Sequence, residues 1–260
     1  MIKEELQTRG TAMSEKTDKS KTKKLKHVKI YDQLYEQIKD GTYQPESQLP
    51  SETTLAASMN VSRMTLRKAL MLLIEDGLVK NVPGVGNFIR ATRSSLPSSM
   101  TIASKANHTL HPVHAYCTES LDDIEVDSRI EIPSESILDS LGQYTAAVVI
   151  TDRWYRHAQQ TIAYSLSFIP IEVIGKLKID LKDQAQLLEF LEHTSYNENH
   201  HFYRSCTYST SGNFTAKNYT LSSQNSFLLV QENIYDKEHQ LLMTNKHYIP
   251  WDLFRIELYI

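Results

Sequence analysis

Residues 49–77 read LPSETTLAASMNVSRMTLRKALMLLIEDG, and this stretch decides the fold of the first domain. Ser51 followed by acidic Glu52 is typical of a capped helix start whose first turn carries a negative charge. Asn60 tolerates the left-handed conformation that ends many helices. After Ser62, which can cap a second helix, apolar residues recur at helical spacing: Leu66, Ala69, Leu70, Leu73 and Ile74. The stretch therefore predicts two short helices joined by a tight turn.

The second helix keeps a polar, basic face opposite this apolar stripe. Arg63, Thr65 and Arg67 lie on or beside that face, near the start of the helix. The free N–H groups of a helix N-terminus bind phosphates, and arginine side chains can read guanine edges in the major groove. This arrangement predicts the recognition helix of a DNA-binding helix-turn-helix.

The flanking residues complete a three-helix unit with a hairpin. The spacing of Ile30, Leu34 and Ile38 predicts a first helix over 29–41. Beyond the second helix, alternating residues predict two strands around a Pro-Gly-Val-Gly turn at 83–86. Gly86 in this turn would let the backbone approach a sugar-phosphate closely, although a hairpin turn also needs glycine without any DNA.

The residues L-P-S-E-x-x-L-A, V-S-R-x-T-L-R-x-A-L and G-L resemble the winged helix-turn-helix of the GntR family of bacterial transcription regulators. The resemblance covers about residues 28–90. It implies a homodimeric regulator, most often a repressor, that binds double-stranded operator DNA. Carried onto this sequence, it implies contact of Arg63 and Arg67 with guanine edges or phosphates. It also gives positioning roles to a further set: Ser51, Glu52, Ser62, Thr65 and Gly86.

Composition and charge fit such a protein. The 260 residues suffice for two domains, and 40% hydrophobic with 23% charged residues is typical of a soluble globular chain. No apolar run approaches the roughly 20 residues that span a bilayer, and two cysteines make no disulfide framework, so we expect a cytoplasmic protein. Residues 94–260 carry 20 acidic against 12 basic side chains, whereas residues 1–93 carry 16 basic against 11 acidic. This asymmetry permits a DNA reader joined to an acidic regulatory domain.

Four segments follow from the composition along the chain. Residues 1–27 are rich in Lys, Ser and Thr and predict a disordered basic tail, which either adds phosphate contacts or has no role. Residues 28–90 form the predicted DNA-binding domain. The Ser-rich residues 91–107 predict a linker. Residues 108–260 are left for a second domain that binds an effector and dimerises.

The second domain has an α+β pattern. Helices are predicted at 133–141, 182–193 and 213–221. Strands are predicted at 116–126, 144–156, 161–169, 202–210, 227–235 and 240–249. The order of these elements predicts an antiparallel sheet with the helices on one side.

Arg153, Ile162-Ala163 and Phe168-Ile169-Pro170, followed by a helix and a final hairpin, resemble the effector domain of the HutC-type branch of the GntR family. This domain (UTRA) has a chorismate-lyase-like fold, and the resemblance covers about residues 110–258. It implies binding of a small effector, and the residues that match the branch's binding positions are Arg153, Tyr155, Ser165 and Tyr248.

This chain departs from the sugar-phosphate binders of that branch. They carry Arg-x-Arg on the first hairpin strand, where this chain has Arg153-Trp154-Tyr155. Acidic positions of the same pattern fall here at Ser165 and Met243. Losing one guanidinium weakens a bidentate anion clamp, and losing the acids removes acceptors for sugar hydroxyls. The differences favour an aromatic or single-carboxylate effector over a phosphosugar.

Other chemistry has weaker support. His108, His111, His114 and Cys117 recur every third residue, but neighbours at that spacing alternate faces of a strand, and Pro112 interrupts a regular helix. We therefore expect no metal site there, and we find no motif for a cofactor or for catalysis. The alternative to a regulator is a small-molecule-binding protein, or a vestigial lyase-like enzyme, whose N-terminal domain contacts another protein.

Overall fold

The computed structural model describes residues 25–91 and 109–256. The predicted basic tail (1–27) and linker (91–107) fall almost wholly outside these ranges. Among the described residues, none of the helices combines the length and apolar character that crossing a bilayer requires.

The N-terminal domain is a three-helix unit followed by a hairpin. Its elements are α1 (Lys26–Lys39), α2 (Glu52–Ser58), α3 (Arg63–Glu75), β1 (Val79–Val82) and β2 (Gly86–Ile89). The strands are antiparallel, with Val79 opposite Ile89. Leu34, Leu66 and Leu73 are fully buried, because the apolar stripes of α1 and α3 pack on each other. Asn60 takes a left-handed conformation with φ of 52° directly after α2.

The C-terminal domain is built on one antiparallel sheet. Within residues 109–256 its six strands lie in the order β3-β4-β5-β8-β7-β6. They span β3 (Asp123–Glu131), β4 (Val148–His157), β5 (Gln160–Pro170), β6 (His201–Ser209), β7 (Phe227–Tyr235) and β8 (Leu241–Pro250). The two predicted hairpins, β4–β5 and β7–β8, are central to this sheet, and β5 pairs with β8 to join them.

Helices cover both faces of the sheet, so the prediction that they lie on one side was wrong. The helices are α4 (Pro112–Tyr116), α5 (Glu135–Leu141), α6 (Ile171–Leu177), α7 (Gln184–Glu189) and α8 (Gly212–Thr215). Helices α6 and α7 pack on the face that carries Val149, Ile169 and Met243. Helices α5 and α8 pack on the opposite face, where every strand presents its other set of alternating side chains.

Two predicted elements are misplaced along the chain. The strand predicted at 116–126 begins only at Asp123, because Pro112 starts the short helix α4 in the preceding segment. The helix predicted at 213–221 is a single turn, α8, in the structure. After it, the Asn213 side chain accepts the N–H groups of Leu221 and Ser222 and closes a loop instead of a longer helix.

The two domains meet at the C-terminal end of α3 and also where α1 contacts α5, with Tyr35 and Lys39 on Asp139. The Asp76 carboxylate accepts hydrogen bonds from Lys246 Nζ at 2.6 Å and from Gln231 Nε2 at 3.2 Å. Glu75 accepts hydrogen bonds from Ser209 Oγ and, at 3.3 Å, from Tyr248 OH. One end of α3 is thus held by β6, β7 and β8, while its N-terminal end points away from these contacts.

Candidate nucleic-acid interface and effector site

The N-terminus of α3 is fixed by a hydroxyl cap. Ser62 Oγ accepts the N–H of Thr65 at 3.1 Å, and the two hydroxyl oxygens lie 2.8 Å apart. Ser51 makes the same pair of contacts with Thr54 at the start of α2, at 3.2 and 2.8 Å. These caps satisfy backbone donors that each helix start would otherwise leave free, and they fix the direction of both helices.

The basic side chains of α3 are exposed and partly oriented. Arg63 is exposed, and Arg67 donates through Nη2 and Nε to one Glu52 oxygen, at 2.8 and 3.2 Å. This exposed ion pair joins α3 to α2 and restrains the position of the Arg67 guanidinium. Lys68, on the next position of the helix, lies 5.1 Å from the centre of the Phe214 ring in α8. Of the predicted contact residues, Arg63 and Arg67 are exposed about one helical turn apart, whereas Thr65 is half-buried and engaged in the cap with Ser62.

A groove of about 400 Å³ lies beside the turn between α2 and α3. Lys26, Ser62 and Thr65 contribute polar groups to its lining. The wing hairpin carries Gly86 at φ of 140°, where a Cβ would lie 2.7 Å from Gln48 Nε2. The requirement for glycine at this position therefore has an internal explanation, and contact of Gly86 with DNA stays a prediction.

A buried ionic cluster lies on the α6/α7 face of the C-terminal sheet. Arg153 is fully buried, and its Nη1 donates to Glu192 Oε1 at 2.6 Å. Tyr155 OH donates to the same oxygen at 2.9 Å and lies 3.2 Å from His111 Nε2. Burial lowers the pKa of His111 well below its ordinary value, so this imidazole is neutral. Burial opposes ionisation of Glu192, but the Arg153 guanidinium and the hydrogen bonds from His114 and Tyr155 outweigh it and hold the pKa of Glu192 well below its usual range.

A second set of buried polar residues continues the cluster along the same face. Ser165, which stands opposite Arg153 in the ladder, contacts His247 Nδ1 at 2.7 Å. His247 Nε2 lies 3.4 Å from Glu232, whose carboxylate also accepts the hydroxyl of Tyr196 at 2.6 Å. Each carboxylate of the cluster has an arginine partner, since Glu232 also pairs with Arg204. The cluster is therefore close to electrically balanced.

The structure brings together three of the four predicted effector contacts. Arg153, Tyr155 and Ser165 lie on the α6/α7 face, where they belong to this cluster. Tyr248 lies on the opposite face, where its hydroxyl faces Glu75 and Ser211. The reason is the two-residue period of a strand: His247, the neighbour of Tyr248, is the β8 residue that faces Ser165. Tyr248 therefore lines the contact between the domains instead of the cluster.

His111 and His114 lie closer together than the sequence argument allowed. Pro112 occupies the first position of α4, where proline is compatible with a helix, so the two imidazoles share one side and their ring centres are 5.3 Å apart. Their nitrogens and a Glu192 oxygen all lie within 4.8 Å of one another, a set that could hold a metal ion. Against this, His111 Nδ1 accepts the N–H of Val113 at 3.2 Å, which places the ring proton on Nε2, the atom that would bind the metal. The Arg153 guanidinium, 3.4 Å from the same nitrogen, also disfavours a cation.

Glu192 is the central residue of the cluster, and sequence reasoning missed it. The amphipathic pattern over 182–193 placed leucines and Phe190 inward but gave no role to an acid. In the structure α7 ends at Glu189, and residues Phe190–Thr194 form a π-helical turn. A polar residue next to two buried apolar ones was the available signal, but its partner Arg153 is distant in sequence.

The N-terminal domain is similar to a known protein family. Residues 26–89 match the family described as "Bacterial regulatory proteins, gntR family". This domain is a GntR-family helix-turn-helix. The HTH-type transcriptional repressor NagR of Bacillus subtilis is 43% identical over 63 residues, which are 24% of this chain and 26% of NagR.

A longer match extends beyond the GntR domain. The mannosyl-D-glycerate transport/metabolism system repressor MngR of Escherichia coli is 29% identical over 122 residues, 45% of either chain. The chain thus matches between about a quarter and under half of the length of these relatives. The possible transcriptional regulator YydK of Bacillus subtilis is 16% identical, with a TM-score of 0.38, over 91% of this chain and 99% of YydK.

Proposed function

We propose that this chain is a sequence-specific DNA-binding transcription regulator, a repressor, whose operator binding is controlled by a small-molecule effector in the C-terminal domain. The observation that carries the proposal is the start of α3, which is capped by Ser62 and carries exposed Arg63 and Arg67, within a GntR-family domain. NagR and MngR are both repressors, which supports the sign of the regulation.

The proposed reading mode follows from the geometry of α3. The caps at Ser51 and Ser62 orient the two helices, so that the N–H groups of α3 meet phosphates while its arginines reach base edges. The Arg67–Glu52 pair is exposed, so solvent screens it and Arg67 can exchange this partner for a guanine or a phosphate at little cost. Lys26, Ser62 and Thr65 around the nearby groove add further donors for the DNA backbone.

Effector control has a candidate route through β8. Along this strand Asn245 and His247 face the buried cluster and contact Glu232, at 3.0 and 3.4 Å. The intervening Lys246 points to the other face and holds Asp76 at the end of α3. A shift of β8 caused by a ligand in the cluster would therefore move the anchor of the recognition helix. A homodimer in which two such helices read two half-sites completes the proposal.

In vitro selection from a random duplex library with the full chain tests this function. A symmetric dimer should enrich a near-palindrome whose half-sites lie about one helical turn apart, or a multiple of it, because the two-fold axis of the protein is imposed on its operator. Recovery of unrelated sequences after repeated rounds would contradict sequence-specific recognition. So would an affinity that falls with salt concentration to the same extent for every duplex.

A further inference from the structure

Glu192 lies on a π-helical turn, a rare backbone feature that directs its side chain towards the sheet. The N–H of Ser195 reaches the carbonyl of Phe190 at 3.1 Å, a bond across five residues that defines the π-helical turn. As a result Phe190, Leu191 and Glu192 are buried in succession, with Glu192 only 4% exposed. Single π-helical turns of this kind are found frequently at functional sites.

The carboxylate of Glu192 occupies a slot that is shaped for one carboxylate. Its Oε1 accepts from Arg153 Nη1 at 2.6 Å and from Tyr155 OH at 2.9 Å. Its Oε2 lies 3.0 Å from His114 Nε2. The guanidinium supplies the one buried positive charge here, since His111 is neutral. A second negative charge would be buried without a partner, so the slot favours a carboxylate monoanion over a phosphate dianion.

Arg153 has more to offer a ligand than Glu192 uses. Its Nη1 also donates to the carbonyl of Leu191 at 3.2 Å, and its Nη2 donates to Ser167 Oγ at 2.7 Å. The buried Nε has no hydrogen-bond partner among the described residues. Glu192 thus engages the guanidinium at one nitrogen, whereas a free carboxylate can form two parallel N–H bonds with it. The buried unused donor marks a binding capacity that the folded chain leaves open.

The slot has a solvent-facing side at His114. The side chain of His114 is 35% exposed, while those of Arg153 and Glu192 are at most 2% exposed. His193, exposed on the π-helical turn, lies beside His114 with ring centres 6.4 Å apart. The residue that must move for a ligand to enter, Glu192, is therefore carried by the segment that borders this opening.

We propose that Glu192 is an internal carboxylate that fills the anion slot of Arg153 in the free chain, and that the effector is an organic carboxylate that displaces it. The inference rests on the effector-controlled function proposed above. Release of Glu192 lets the π-helical turn of residues 190–194 rearrange, while the ligand takes over Arg153, Tyr155 and His114. Ligand binding and the conformational change are then coupled, because the carboxylate of the effector replaces that of Glu192 on Arg153.

Acetate can test this exchange in the full-length chain without knowledge of the natural effector. Glu192→Ala leaves the buried Arg153 without its anion, and the melting temperature should fall by about 6–20 °C. Sodium acetate, compared with sodium chloride at equal ionic strength near neutral pH, should restore part of this loss along a saturating curve. The gain should reach about 3–6 °C at an acetate concentration tenfold above the dissociation constant.

The matched control is Glu232→Ala, which removes the other buried carboxylate of the same sheet face and should show no acetate-specific gain. Equal recovery of this variant would overturn the proposal, because any unpaired buried arginine would then suffice. If Glu192→Ala does not fold, Glu192→Gln keeps the volume and must show the acetate gain instead. Absence of a gain in the variant that folds would also overturn the proposal. Since no DNA is present, failure here leaves operator binding to be judged by its own titration.

Discussion

Asp76 joins the recognition helix to the effector sheet, and its removal has a calculable cost. An acid at a helix C-terminus is unfavourable with respect to the helix dipole, so Asp76 is stabilised by its partners beyond α3. It accepts from Lys246 at 2.6 Å, Gln231 at 3.2 Å and Tyr31 OH at 2.7 Å. The side chains of Asp76 and Lys246 are each 20% exposed, so the pair is intermediate between a surface and a buried ion pair. A surface pair contributes about 0–1 kcal/mol, and disruption of a buried pair costs about 3–5 kcal/mol.

Asp76→Ala should therefore lower the free energy of unfolding by about 2–3 kcal/mol, or the melting temperature by about 4–12 °C. Calorimetry of the full chain measures this, with Asp123→Ala, an exposed position at the start of β3, as a control that should stay within about 0.5 kcal/mol. Lys246→Met should cost a similar amount, and the double variant should lose less than the sum. A strictly additive double variant, or a negligible loss for Asp76→Ala, would refute the ion pair as a stabilising link between the domains.

Three other variants test separate parts of the structure. Ser62→Ala removes the cap of α3 and should cost about 0.5–2 kcal/mol in denaturant unfolding; no loss would mean that the Thr65 N–H has another partner. Arg67→Ala should lose about 1–3 kcal/mol of specific DNA binding by fluorescence anisotropy, and unchanged affinity would remove Arg67 from the interface. The pKa of His27 is lowered to about 4, by burial and then by the nearby lysines, so stability should fall as the pH drops from about 6.5 to about 4. His27→Gln should reduce that fall by about 2–3 kcal/mol, and an identical pH profile for the variant would contradict this assignment.

The sequence was sufficient to predict the helices and strands wherever apolar periodicity and capping residues indicate the same element. The apolar stripe of α3, the stop at Asn60 and the caps at Ser51 and Ser62 all depend on residues within one or two turns of each other. The hairpins β4–β5 and β7–β8 were also predicted, because their strands are long and are separated by short polar turns. Interactions between residues close in sequence determine these elements, so they can be predicted from a single sequence.

The buried cluster could not be predicted in the same way. Its central pair joins Arg153 on β4 to Glu192 on the π-helical turn. No periodic pattern in the sequence predicts a π-helical turn. Tyr248 was assigned to the effector contacts by resemblance, but strand alternation turns it to the other face. The proline of α4 was interpreted as a helix breaker although the first helical position accepts it. Each of these differences concerns a backbone turn or a side-chain direction that the packing of distant segments decides.

The most direct test of the central claim is an anisotropy titration of the full chain on two labelled duplexes. One duplex carries the sequence recovered by in vitro selection, and the other a shuffled sequence of equal length and composition. At a fixed physiological salt concentration we expect the selected duplex to bind at least about a thousandfold more tightly. Equal affinity for both duplexes would contradict a sequence-specific regulator, whatever the C-terminal domain binds.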